Sequence, residues 1–175
     1  MKTDAIINRD VLPALKELPG ESVHCAVTSP PYYALRDYGI DAQIGREDTP
    51  EQYIERLVAV FRELRRVLRS DGTFWLNIAD TYCGTGSKGG YSDLKNPKGR
   101  NGQSLSLARQ TTGCKQKDLI GIPWLLAFAL RSDGWYLRSD IIWQKNNPMP
   151  ESVKDRPSRC HEHVFLLTNS NFACG

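Results

Sequence analysis

Short apolar runs and stretches of helical spacing take turns along this chain. Ala5-Ile6-Ile7 reads as a short buried strand, followed by the polar Asn8-Arg9-Asp10. Val11, Leu12, Leu15 and Leu18 then share one helical face, and Pro19-Gly20 stops that helix. Residues 22–28 (SVHCAVT) read as a second strand, broken by Pro30-Pro31, which cannot continue a ladder. Residues 32–49 have no clear period. Thr49-Pro50-Glu51-Gln52 is a helix start, with Thr49 as N-cap, Pro50 in the first helical position and Gln52 placed for a capping box. Tyr53, Leu57, Val60, Phe61, Leu64 and Leu68 form one apolar face of that helix, and Ser70-Asp71-Gly72 ends it. Residues 72–78 (GTFWLNI) read as a third strand. A helix capped by Asp118 runs to about Arg131, and residues 135–145 and 163–168 read as two further strands around a Pro-rich connection.

The order is strand, helix, strand, helix, strand, helix, strand, strand. Such alternation predicts an α/β fold with a parallel sheet and helices on both faces. No helix separates the last two strands, so one of them is expected to run antiparallel. There is no internal repeat, and 175 residues fit one ordinary domain.

Composition narrows the class. The chain is 40% hydrophobic and 25% charged, a globular balance rather than a disordered one. Its longest uncharged apolar run, residues 119–130, is far short of the roughly 20 residues that cross a bilayer. Five scattered Cys, never spaced as CxxC, suit a reducing cytoplasm and argue against a disulfide scaffold. The net charge of +3 is unevenly placed. Residues 84–118 carry seven basic and two acidic side chains and seven of the 14 Gly, so the rest of the chain is slightly acidic. This segment is the best candidate for contact with a phosphate-bearing polyanion, through Lys88, Lys95, Lys98 and Arg100, and is otherwise expected to be a flexible loop.

Ligands of parallel α/β sheets bind beyond the carboxyl ends of the strands. Thr28-Ser29-Pro30-Pro31-Tyr32-Tyr33 falls there. Two consecutive prolines fix the backbone, so the carbonyls of Ser29 and Pro30 point in set directions. With one hydroxyl and two aromatic rings beside them, they suit a flat ring bearing an amino group; a rigid turn with packed tyrosines fits the same four residues equally well.

TSPPYY after a buried strand resembles the catalytic motif of amino-methylating DNA methyltransferases, (Asp/Asn/Ser)-Pro-Pro-(Tyr/Phe/Trp). The stretch IINRDVLPALKELPGESVHCAVTSPPYYALRDYG resembles the family's opening, and GTFWLNIADTY, DLIGIPWLLAFAL and the strand pair around NNPMPESVKDRPSRC resemble its next strand, following helix and strand pair, in the circularly permuted order. The resemblance implies the catalytic half of a Rossmann-like sheet that depends on S-adenosylmethionine, and methyl transfer to an exocyclic amino nitrogen of a flipped DNA base, in a restriction-modification setting. Ser29 and the Pro30 carbonyl would accept the amino N–H groups, Pro31 would stiffen the turn, and Tyr32 would stack on the base. Tyr33 would add a DNA contact. Asp10 and Thr28 are the cofactor candidates; Asp10 serves equally as an N-cap of the helix behind it. Ser at position 29 favours cytosine-N(4) over adenine-N(6), with adenine as the alternative.

Two other motifs carry less. Gly84-Thr-Gly86-Ser-Lys-Gly89 matches GxGxxG, and Asp80-Thr-Tyr82-Cys-Gly84-Thr-Gly86 resembles a cofactor motif, but Gly90, Asn96 and Pro97 follow where a helix should open. Cys160-His161-Glu162-His163 invites a metal reading, and two ligands without a second cluster do not sustain it. The resemblance further implies a target-recognition region and a Gly-rich cofactor turn that this sequence does not contain. The chain is then expected to be a single catalytic subdomain over 1–175, completed by a second polypeptide or else an inactive remnant that at most binds DNA.

Overall fold

An 18-residue amphipathic helix organises much of the chain. In the computed structural model, which describes residues 4–35, 38–83, 113–148 and 154–171, it runs over Pro50–Val67 as α2. The other elements are α1 (Val11–Glu17), β1 (Val23–Thr28), β2 (Leu68–Ile78), α3 (Ile122–Ser132), β3 (Tyr136–Gln144) and β4 (His161–Thr168). Contacts divide the chain into two units. One comprises residues 1–29, 63–79 and 134–175, and the other residues 30–62 and 80–133.

The first unit holds the sheet, in the order β1-β2-β4-β3. β1 and β2 pair in parallel, with Thr28 opposite Leu76. β4 runs antiparallel to both of its neighbours, β2 and β3. This is the expected antiparallel partner, and it follows from the missing crossover helix between the last two strands. Phe74, Leu76 and Ile78 alternate on one face of β2 and are fully buried, as are Phe165 and Leu167 of β4. Trp135 covers that face, 5.2 Å from the Phe74 ring.

Two expectations need correction here. Ala5–Ile7 is not a strand: Ile6 is 98% exposed, and no described strand pairs with the segment. A strand without a hydrogen-bonding neighbour gains nothing over solvated coil. The second concerns Ser70-Asp71-Gly72. α2 ends earlier, at Val67, and β2 begins at Leu68, so this turn becomes a slip in register between Val23↔Leu68 and Cys25↔Thr73. Arg69 clasps Asp71 with both guanidinium arms across the slip, at 2.8 and 2.9 Å. Gly72 is required there, because a Cβ would lie 2.9 Å from the His24 carbonyl oxygen.

In α1, Asp10 is the N-cap and accepts from the Leu12 N–H at 3.1 Å. The other end of α1 is held by Arg66, which donates to the Leu15 and Leu18 carbonyls.

The second unit is built on the first part of α2 and on α3. Tyr33, Tyr53, Leu57 and Phe61 are buried, and so are Ile122, Leu126, Ala127 and Leu130. The cap of α2 departs slightly from the expected box. Thr49 Oγ1 accepts from the Gln52 N–H, but Gln52 Oε1 reaches back to the Asp48 N–H. The cap of α3 is a correction. Asp118 does not reach it and instead accepts from the Lys115 N–H. Gly121 occupies the cap position in a left-handed conformation and has no side chain to offer. Asp80, 41 residues upstream, fills the gap: its carboxylate accepts from Gly121 and Ile122 N–H groups at 2.9–3.0 Å. Arg62 pairs with Asp133 just past the other end of α3.

Candidate active site

β1 delivers its last residue, Thr28, to the carboxyl edge of the sheet, and Ser29 follows it, exposed. Pro30 opens the second unit and is buried; Pro31 and Tyr32 are half-buried. The peptide bonds of the described residues are all trans.

Prolines carry no N–H, so this turn can be tied down only through its carbonyls and through the residues after it. Both kinds of tie are present. The Tyr53 hydroxyl, on the first turn of α2, donates to the Pro31 carbonyl at 2.9 Å. Tyr53 is fully buried. Burial pushes its phenol well above the usual tyrosine range, and Glu47 and Tyr32 add to the shift, so it remains a donor. Behind the turn run residues 42–48. Ala34 N–H donates to the Gly45 carbonyl at 2.8 Å. Gly45 has φ +96°, and a Cβ there would sit 2.8 Å from the Tyr32 carbonyl oxygen. Only glycine allows both the conformation and the approach. Arg56, one helical turn beyond Tyr53, fixes this segment by donating to the Gln43 and Ala42 carbonyls and to Glu47 Oε1.

Tyr33 is a correction. It is 1% exposed, its ring lies 5.5 Å from that of Tyr53, and its hydroxyl donates to the Asp48 carbonyl. A ring so enclosed has no surface for DNA; it anchors the turn instead. Tyr32 keeps part of its surface open. Asp10 acts as the N-cap of α1 and remains exposed, so one carboxylate oxygen is committed to Leu12. Lys88, Lys95, Lys98 and Arg100 lie outside the described residues, as do Gly84 and Gly86. Asp80 is described, and its carboxylate is engaged by α3 as above. His163 Nδ1 lies 2.9 Å from Asp140 Oδ1.

The sequence reading missed the supports of the turn. Tyr53 looks like the first residue of an apolar face, and its hydroxyl is the only hint of more. Arg56 looks like one of many solvated charges. Gly45 sits in a stretch without period, where an isolated Gly is the only signal of a special conformation.

Comparison with known proteins gives a consistent picture. The profile of the DNA methylase family (N6_N4_Mtase) matches residues 23–173. The type II methyltransferase M.XycI of Xanthomonas campestris pv. cyanopsidis is 54% identical over 173 residues, which are 97% of this chain and 56% of that protein. Among solved structures, the cytosine-N4-specific PvuII DNA methyltransferase superposes with a TM-score of 0.62 at 14% identity, covering 94% of this chain and 49% of that one. A putative DNA modification methylase of Thermus thermophilus, solved in complex with S-adenosyl-L-methionine, superposes with a TM-score of 0.60 at 19% identity, covering 95% and 53%. The likeness to these two structures is one of fold, a Rossmann-like α/β methyltransferase sheet with the antiparallel β3–β4 pair at its C-terminal end. This chain spans about half the length of each.

Proposed function

The chain belongs to the DNA methylase family of amino-methyltransferases, and from that membership we propose that it carries the base-binding and catalytic turn of a DNA methyltransferase acting on an exocyclic amino group, with cytosine-N(4) as the favoured target. The observation that carries the proposal is Ser29-Pro30-Pro31-Tyr32 placed directly after β1, with its backbone tied to α2.

An amino group on a base is a weak nucleophile, because its lone pair is delocalised into the ring. Ser29 Oγ and the Pro30 carbonyl accept its two N–H groups, favour a more tetrahedral nitrogen and aim the lone pair. Tyr32 stacks on the flipped ring and holds it in place. A neutral hydroxyl at position 29, rather than a carboxylate, underlies the preference for cytosine. S-adenosylmethionine, the ligand of the Thermus neighbour, supplies the methyl group when bound. The residues present fit part of it: Asp10 is exposed at the start of α1 and can accept from the hydroxyl or amino groups of a nucleoside, and Thr28 ends β1. The basic side chains Lys88, Lys95, Lys98 and Arg100 neutralise DNA phosphates on this reading. A DNA substrate and the free cysteines Cys25, Cys83, Cys114 and Cys160 among the described residues both agree with a cytoplasmic protein.

The turn is one half of what such an enzyme needs. We further propose that the rest corresponds to the part of the relatives that this chain does not span. β1 offers the place for it. The strand has one neighbour among the described strands, Val27 is 77% exposed, and the six residues VHCAVT contain no Lys or Pro to blunt an edge. Ile6 and Ile7 lie exposed in the same unit.

The test is methyl transfer from labelled S-adenosylmethionine to DNA, by the chain alone and by the chain mixed with the uncovered part of M.XycI. We expect little transfer by the chain alone, robust transfer by the mixture, and N4-methylcytosine on nucleoside analysis. Ser29→Ala should abolish it. Methylation at a ring carbon, or full activity in Ser29→Ala, defeats the proposal.

A further inference from the structure

The double proline poses a mechanical problem. The acceptor assigned to the base is the Pro30 carbonyl, yet neither proline can hold its own peptide plane with an N–H group. Something else must fix the direction of that carbonyl. One contact in the second unit does so. The Tyr53 hydroxyl donates to the next carbonyl along, that of Pro31, at 2.9 Å. Holding this carbonyl sets ψ of Pro31. The pyrrolidine ring already locks φ of Pro31 near −65°. With both torsions set, the peptide plane that joins Pro30 to Pro31, and the Pro30 carbonyl within it, is fixed relative to α2. Tyr53 itself is enclosed: it is fully buried, on the first turn of an 18-residue helix, with the Tyr33 ring 5.5 Å away.

The hydroxyl also divides the work between the two carbonyls. Occupied by Tyr53, the Pro31 oxygen is a poor competitor for an incoming amino group, which leaves the Pro30 oxygen as the acceptor presented by the dipeptide. The close approach at Gly45 backs the next residue in the same way, since there is no room for a Cβ beside the Tyr32 carbonyl.

We infer that Tyr53 is the positioning residue of the catalytic turn, its buried hydroxyl holding the Pro31 carbonyl and, through the locked torsion of Pro31, aiming the Pro30 carbonyl at the target amino group. The inference rests on the methyltransferase reading above for its last step, and on the geometry alone for the first.

Tyr53→Phe isolates the hydroxyl, because it keeps the ring and its packing. Two measurements test it. In the 175-residue chain, with proline labelled at the carbonyl carbon and Pro31 assigned by its loss in Pro31→Ala, the Pro31 resonance should move in Tyr53→Phe while those of prolines outside the turn stay. In the mixture with the uncovered part of M.XycI, kcat per active site should fall about tenfold or more, with KM for DNA and for S-adenosylmethionine little changed. A merely structural role would lower the titrated fraction of active protein and leave kcat per site alone. An unmoved Pro31 resonance, or an unchanged kcat per site, overturns the inference. A mixture of wild-type chains that transfers no methyl at all defeats the functional reading instead, and the carbonyl resonance then still decides whether Tyr53 holds the turn.

Discussion

The two stretches on either side of Ser29 are built on opposite terms. After it, residues 30–34 and the stretch 42–56 behind them are tied down by hydrogen bonds and buried contacts. Pro30 and Tyr33 are buried, Tyr53 and Tyr33 donate to carbonyls, Gly45 fills a space no other residue could, and Arg56 pins the backbone behind it. Before it, residues 5–28 are loosely covered. α1 has no buried residue, and Ile6, Ile7, Val11 and Val27 all face solvent. The lesson is that the turn after β1 is over-determined within this chain, whereas the segment carrying Asp10 and Thr28 is left with surface to cover. Substitutions should therefore cost much on one side of Ser29 and little on the other.

The largest effect is expected in α2. Leu57 is 1% exposed in the apolar face that supports the turn. Leu57→Ala removes its transfer energy and leaves a cavity, for a loss of about 3 kcal/mol. The change in unfolding free energy from urea titration checks it. A loss below about 1 kcal/mol would mean that this side is as loosely packed as the other.

Gly45→Ala comes next. The added Cβ meets the Tyr32 carbonyl oxygen, which is backbone and cannot swing away, in a conformation alanine disfavours. We expect about 2 kcal/mol. Gly39→Ala is the internal comparison. Its φ of +70° is also left-handed, but nothing lies within 4 Å of the new Cβ, so about 1 kcal/mol is expected from the backbone alone. Equal losses at the two sites would show that the close approach at Gly45 adds nothing.

How much of this could be read beforehand depends on where the information resides. α2 was legible almost to the residue, because Thr49-Pro50 marks its start and its apolar face has a clean period. Its end was misread by a few residues, since Ser70-Asp71-Gly72 has the composition of a turn and only pairing with β1 makes it a slip within β2. The antiparallel β4 followed from a missing crossover helix. The strand expected over Ala5-Ile6-Ile7 failed because a strand is a property of a pair, and one segment's apolarity does not name its partner. The Ser29–Tyr32 turn was legible as a motif, but its supports were not: a tyrosine hydroxyl 22 residues away in sequence leaves no local trace. Asp80 is the sharpest case. Its neighbours made it look like part of a cofactor motif, whereas the structure uses it to cap a helix that starts 42 residues later.

That cap gives the third prediction. Asp80→Ala strips the acceptor from the N–H groups of Thr81, Gly121 and Ile122. Since Gly121 has no side chain to take over, the loss should be about 1–2 kcal/mol. Asp80→Asn, which keeps an acceptor but not the charge, should recover part of it. Thermal unfolding of the two variants side by side measures both terms, and identical midpoints for Asp80→Ala and the parent would remove Asp80 from the account of α3.

The smallest effect should be at Val27. It lies in β1, one residue before Thr28, yet it is 77% exposed. A buried valine is worth roughly 1.5 kcal/mol or more; Val27 has little of that to lose, so Val27→Thr, which keeps the β-branched shape, should change the unfolding free energy measured in urea by no more than about 0.5 kcal/mol. The same residue becomes costly if β1 is where more chain is added. Binding of the uncovered part of M.XycI would then stabilise the parent by mass action, with a midpoint that rises with the concentration added. Val27→Lys should leave the isolated chain unchanged and cancel that rise, because a lysine on an edge strand opposes further pairing. A rise that survives Val27→Lys would place the added polypeptide elsewhere on the chain. A loss in the isolated chain as large as that of Asp80→Ala would show that β1 is already covered, and the contrast across Ser29 would collapse.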